Sequence, residues 1–106
     1  MANTIKIVQI FTKVDLRAGE DRLTSLIADK DYPHPRTGEV FLFINRKRNI
    51  VKVLGNRGLF IDRLPDKQTF DLSLRKEQLL KSIGQYFGIT FSVSDEAYKN
   101  HDREMV

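Results

Sequence analysis

Residues 40–54 read VFLFI, then NRKRN, then IVKVL, and no other stretch limits the fold as much. Two runs rich in Val, Ile, Leu and Phe flank a polar segment, which is the pattern of a β-hairpin with a loop too long for a two-residue turn. Val40, Leu42 and Ile44 share one face of the first strand and Phe41 and Phe43 the other, so the strand is apolar on both sides and belongs in the middle of a sheet. On the second strand Ile50, Lys52 and Leu54 share a face, opposite Val51 and Val53. A buried pair of strands therefore holds up a tip, Asn45 to Asn49, that carries Arg46, Lys47 and Arg48 in succession.

The charge balance makes that tip stand out. Between Arg36 and Arg57 the bases Arg36, Arg46, Lys47, Arg48, Lys52 and Arg57 face the single acid Glu39, a net of +5, whereas the rest of the chain nets −1. A focused positive patch on a neutral body attracts nucleic acid, an anionic lipid surface or an acidic protein. Phosphate contacts by Arg46, Lys47 and Arg48 are expected, with Lys52, Arg57 and Arg36 adding to the same field and Asn45 and Asn49 as the candidates for a base edge. A two-stranded ribbon fits a DNA major groove of about 12 Å, but strands buried on both faces leave only the tip free.

With 106 residues the chain makes one domain that buries its core without a metal or disulfide. It has no cysteine, which rules out a disulfide framework and a thiolate metal site. Lys6 interrupts the first apolar run, no small-residue cleavage site follows it, and no run approaches membrane-spanning length, so a cytoplasmic protein without a membrane partner is expected.

Taken in order, Thr4 to Thr12 alternates as a first strand. Asp15 is a plausible N-cap for a helix reaching about Lys30, with Leu16, Leu23, Leu26 and Ile27 on one stripe and Gly19 a weak point inside it. Asp31 to Gly38 is a proline-containing connector, and His34 is read there as an exposed loop residue. After the hairpin, Gly55 to Gly58 turns the chain into a strand over Leu59 to Leu64, and Thr69 to Leu72 is a candidate fourth strand of the meander. Ser73 or Asp71 caps a second helix bearing Leu79, Leu80, Ile83 and Phe87, which Gly88 ends. Ile89, Phe91 and Val93 form a last extended segment. The expected fold class is α+β: an antiparallel meander sheet of four or five strands with two helices packed on one face. Residues 1–93 make the domain, and 94–106 a polar C-terminal tail that frays.

Catalytic patterns are missing from the sequence. The glycines occupy turns and not a phosphate loop or dinucleotide fingerprint, and no Gly-x-Ser-x-Gly elbow occurs. His34 and His101 lack ligand spacing, and Asp15, Glu20, Asp21, Glu39, Asp62 and Asp66 are scattered over caps, turns and a helix face. No catalytic residue, metal or cofactor is assigned.

Several segments together carry a family resemblance. Asp15-Leu16-Arg17-Ala18-Gly19 precedes a Leu-rich helix. There follow Gly38, then Phe41-Leu42-Phe43-Ile44-Asn45-Arg46-Lys47, then Val51-Lys52-Val53-Leu54, and finally Arg63-Leu64 with Phe70. In this order, over residues 8–72, the chain resembles the small accessory proteins encoded by the second open reading frame of insertion sequence sixty-six and its relatives, often called TnpB. These are distinct from the much longer RNA-guided nucleases that share the label. The resemblance implies a mobile-element protein that works beside a separate transposase, with DNA or the transposase as partner and no established catalytic residue. It carries over Asp15, Arg17, Gly19, Asn45, Arg46, Lys47, Lys52, Arg63 and Leu64. The chain departs where the family has a Trp-Asp-Gly-type segment after Leu54: here Gly55-Asn56-Arg57-Gly58 stands, and tryptophan is absent. Arg48 also replaces a usual turn residue. The expectation is a non-catalytic accessory protein of transposition that contacts DNA through the hairpin tip. The alternative is an adaptor that docks the transposase through Ile89 to Val93 as an exposed edge.

Overall fold

The computed structural model describes residues 4–17 and 19–99. In chain order the elements are β1 (Thr4–Val14), α1 (Glu20–Asp29), β2 (Glu39–Asn45), β3 (Ile50–Gly55), β4 (Gly58–Arg63), α2 (Lys76–Phe87), β5 (Thr90–Val93) and α3 (Asp95–Lys99). The hairpin forms as its alternation dictates. β2 and β3 pair antiparallel with Phe41 opposite Leu54 and Phe43 opposite Lys52, and β3 pairs antiparallel with β4.

The sheet is mixed, with strand order β4-β3-β2-β1-β5, which corrects the expected antiparallel meander. β1 lies parallel to β2 on one side and to β5 on the other. The cause is the connections: a tight turn returns a chain antiparallel, but a helix laid across the sheet carries it back to the starting end, so the next strand runs parallel. α1 makes the first such crossover and α2 the second. Thr69 to Leu72 is not a strand. It is an irregular segment whose Phe70 and Leu72 are nevertheless buried, and the Phe70 amide donates to the Arg48 carbonyl at 2.8 Å.

Among the described residues the helices number three and cover both faces, where two on one face were expected. On one face Leu23 and Ile27 of α1 pack with Phe11, Val14, Phe41, Phe43 and Leu54. Here Phe11 stacks on Phe43 with ring centroids 5.5 Å apart, and Tyr32 meets Phe11 edge-on. On the other face Leu79 and Ile83 of α2 and Ala97 of α3 pack on Ile7, Ile10, Val40, Leu42, Ile44, Val51 and Val53. Two covered faces explain why β2 is apolar on both sides. The polar stretch expected to fray from Ser94 includes α3, fixed by the Ala97 amide on Ser94 Oγ and by a Lys76–Asp95 ion pair of 2.7 Å. Residues 100–106 of that stretch lie outside the described residues, as do Ala18 and His101.

Both helix starts differ from expectation. α1 begins after Gly19, whose carbonyl accepts the Leu23 amide at 3.0 Å, because Asp15 is engaged with Arg17 instead. α2 begins after Arg75, because Asp71 and Ser73 bond each other in a turn of their own. Gly88 ends α2 at φ +68°, in the left-handed region that glycine enters without penalty.

Candidate functional site

The tip is a tied loop. Asn45 Oδ1 accepts the amides of Asn49 and Ile50, each at 3.0 Å, and its Nδ2 donates to Asn49 Oδ1 at 2.7 Å. Asn45 and Asn49, the base-edge candidates, thus spend these groups on each other and on the backbone. Arg48 takes φ +59°, and both its backbone groups are used: its amide donates to Asn45 O and its carbonyl accepts from Phe70. Arg46, Lys47 and Arg48 are exposed on this fixed base.

The expected single basic field is divided. Because β3 runs away from the tip, Arg57 lies in the turn at its far end, where Asn56 Nδ2 donates to Thr37 Oγ1 at 3.0 Å. Arg36 is at that end too, beside Glu39 at the start of β2. Lys52 is only 5% exposed, between Phe43 and Ile61 in register on its neighbours. Of the seven residues expected to bind together, the structure gathers Asn45, Arg46, Lys47 and Arg48. It separates Arg36 and Arg57 from them and buries Lys52.

In their place two other arginines join the tip. Val14 is opposite Asn45 and Ile50 opposite Arg63, so the ends of β1, β2 and β4 and the start of β3 meet at one rim of the sheet. An open cleft of about 670 Å³ there is lined by Asp15, Arg17, Asn45, Arg46, Lys47 and Arg63 among others. Rims of this kind, beyond the carboxyl ends of parallel strands, are where open α/β sheets place their ligands. Asp15 and Arg17 form a bidentate pair, with Nη2 to Oδ2 at 2.7 Å and Nε to Oδ1 at 3.0 Å. The Arg17 hydrogen bonds hold the Asp15 carboxyl down at about 2. Both side chains are mostly exposed, so the pair contributes little to stability and serves to shape the rim.

A second groove of about 460 Å³ lies on the other flank of Arg46, between the end of β1 and the segment before α2. It is lined in part by Thr12, Lys13, Arg48 and Ser73. The expected first strand stops at Thr12, and β1 runs on through Lys13 to Val14, because alternation alone does not announce a bulge. Phe11 is opposite Phe43 but Val14 is opposite Asn45, so β1 carries an extra residue here, with Lys13 at φ +58°. Among the described residues no cluster of three or more His, Asp or Glu suited to a metal occurs, and no helix is long and apolar enough to cross a membrane.

The structure is thus a mixed sheet with helices on both faces, carrying at one rim a cleft lined by Asp15, Arg17, Asn45, Arg46, Lys47 and Arg63 among others. The profile of the family described as IS66 Orf2 like protein matches residues 5–83, and the chain belongs to that family. The membership points to an accessory protein of insertion-sequence transposition. Nothing among curated proteins or solved structures matches the chain.

Proposed function

We propose that the protein assists transposition by holding DNA phosphates at the rim of its sheet, through Arg46, Lys47, Arg48 and Arg63, without catalysing a reaction. One observation carries this reading. Asp15, Arg17, Asn45, Arg46, Lys47 and Arg63, residues of the family resemblance drawn from separate segments, line one cleft whose charged members net positive. Arginine forks suit phosphate oxygens, and a tip tied by Asn45 presents them with little ordering left to do on binding. Arg36, Lys52 and Arg57 have no part in it. Four neutralised phosphates give a slope of log affinity against log salt of about −3.6 on B-DNA. Titration of a terminal-repeat duplex at several salt concentrations tests this, with Arg46→Ala plus Lys47→Ala expected to bring the slope to about −1.8. An unchanged slope in the double variant removes the site.

A second reading, docking of the element's transposase, draws support from the opposite edge of the sheet. The expected docking edge, Ile89 to Val93, turns Phe91 and Val93 into the core, whereas edge strand β4 leaves Phe60 65% and Ile61 63% exposed. An apolar edge strand invites pairing with another chain. Capture of the transposase from nuclease-treated lysate, lost in Phe60→Lys plus Ile61→Lys and kept in the arginine variants, is the outcome that assigns this role.

A further inference from the structure

We infer that the groove along edge strand β4 takes an extended segment of another protein chain as a further strand, one that carries an apolar side chain with Lys or Arg two positions away. This deepens the second reading above and rests on it for the source of the segment. Phe60, Ile61 and Ile89 are the large apolar side chains left exposed among the described residues, and all three line one groove of about 270 Å³. Val53, Phe87 and Phe91 line it as well. Exposed apolar groups scattered singly need no explanation, but three that gather along an open sheet edge mark a contact surface.

The backbone sets the form of the partner. Gly55 and Gly58 close a two-residue turn, so Gly58, Phe60 and Asp62 exchange bonds with β3 and the amides between them turn outward. The next outward amide, that of Arg63, donates to Asp62 Oδ1 at 3.1 Å, so Leu59 and Ile61 are the residues that offer amides to a strand laid alongside.

The side chains set its chemistry. Phe60 stands opposite Val53 and Asp62 opposite Val51, which puts both on the α2 face, two residues apart. Asp62 is the charged residue that lines the groove. Its Oδ1 accepts the Tyr86 hydroxyl at 3.0 Å as well as the Arg63 amide, and Oδ2 takes no hydrogen bond from the described residues. An added strand of either direction therefore meets Phe60 best with an apolar side chain and Asp62 with a cation. A second copy of β4 does not supply that cation. A two-fold axis normal to the sheet keeps each residue on its own face, and Asn56, Gly58, Phe60 and Leu64, which alternate with Asp62, include no base. The register that sets Phe60 against itself also sets Arg57 against Arg63. The geometry thus favours a different chain over self-pairing.

The probe is the synthetic peptide acetyl-Thr-Arg-Thr-Val-Thr-Arg-Thr-amide, which presents a base two positions from valine in both directions, beside the same peptide with glutamate for both arginines. Each is titrated into the full chain while amide chemical shifts and exchange rates are followed. The arginine peptide is expected to shift Leu59, Ile61 and Ile89 and to slow exchange at the Leu59 and Ile61 amides. The glutamate peptide is expected to bind about fivefold more weakly. Asp62→Asn, which keeps an acceptor for Tyr86, is expected to erase that preference. No shift at β4 overturns the site, as does a glutamate peptide bound as tightly as the arginine one. A wild-type dimer in sedimentation that Phe60→Lys breaks gives the edge to a second copy and also overturns it. Transposase capture that is lost in Phe60→Lys plus Ile61→Lys, with no peptide binding at β4, overturns the groove and leaves the docking reading standing. Peptide binding as expected without capture of the transposase upholds the groove and ends that reading.

Discussion

Asn45 decides the shape of the tip more than any charged neighbour does. Its side chain makes three of the bonds that close the loop, and two of them satisfy backbone amides that would otherwise go unpaired in a half-buried turn. Asn45→Ala is therefore expected to cost about 2 kcal/mol in urea unfolding, more than loss of any one exposed arginine. Asp15 offers a second residue-level check. Its folded pKa lies below the ordinary 3.8, so whatever the Arg17 pair adds to stability is complete above that value and is lost as pH falls through about 2. Carboxyl NMR titration should place Asp15 near 2 in the wild type, and Arg17→Ala should raise it toward 3.8. A midpoint unmoved by that substitution would mean that another group holds the charge.

Among the elements, α2 passes close to the residue that leads into β5. A Cβ on Gly84 would lie 2.5 Å from the Ile89 carbonyl oxygen, a backbone atom with little room to yield. Alanine gains about 1 kcal/mol of helix propensity over glycine, but overpacking against fixed backbone costs about 1–3 kcal/mol, so Gly84→Ala is expected to lower the unfolding midpoint. The facing of the hairpin was legible in the sequence: Phe41 and Phe43 do separate from Val40, Leu42 and Ile44 into different halves of the core, but in β1 a register shift between Ile7 and Gln9 puts Ile7 and Ile10 in one half and Phe11 in the other. Strand direction was not, because alternation reads the same both ways along a chain and only the crossover helices carry that information. Reading short turns alone gave a meander. The site divided in the same manner. Arg46 and Lys47 announced themselves by composition, but Arg63 and Arg17 reach the tip only through sheet register, while Arg57, near in sequence, is a strand length away. A bulge at Thr12 and Lys13 has no signature in residue type, since neither glycine nor asparagine marks it.

At the scale of the whole molecule, the first and last strands described lie side by side. Thr4 is opposite Thr90 and Ile7 opposite Val93, nearly the full described length apart, so the β1–β5 seam is the most distant pairing in the fold. Contacts of that separation carry the largest loop-closure cost and form after local ones such as the β2–β3–β4 hairpins. Val93→Ala, at a position 5% exposed, should therefore raise the unfolding rate about tenfold and leave the refolding rate nearly unchanged in a denaturant chevron. Slowed refolding instead would put the seam in the nucleus. The order has a cost during synthesis. Of the five strands described, β1 is made first and stands between two parallel partners, yet the second of these is made last. Until β5 arrives, one flank of β1 shows an open ladder of amides and carbonyls to every other nascent chain. Yield at high expression should therefore follow the time that flank stays open more than the stability of the finished sheet.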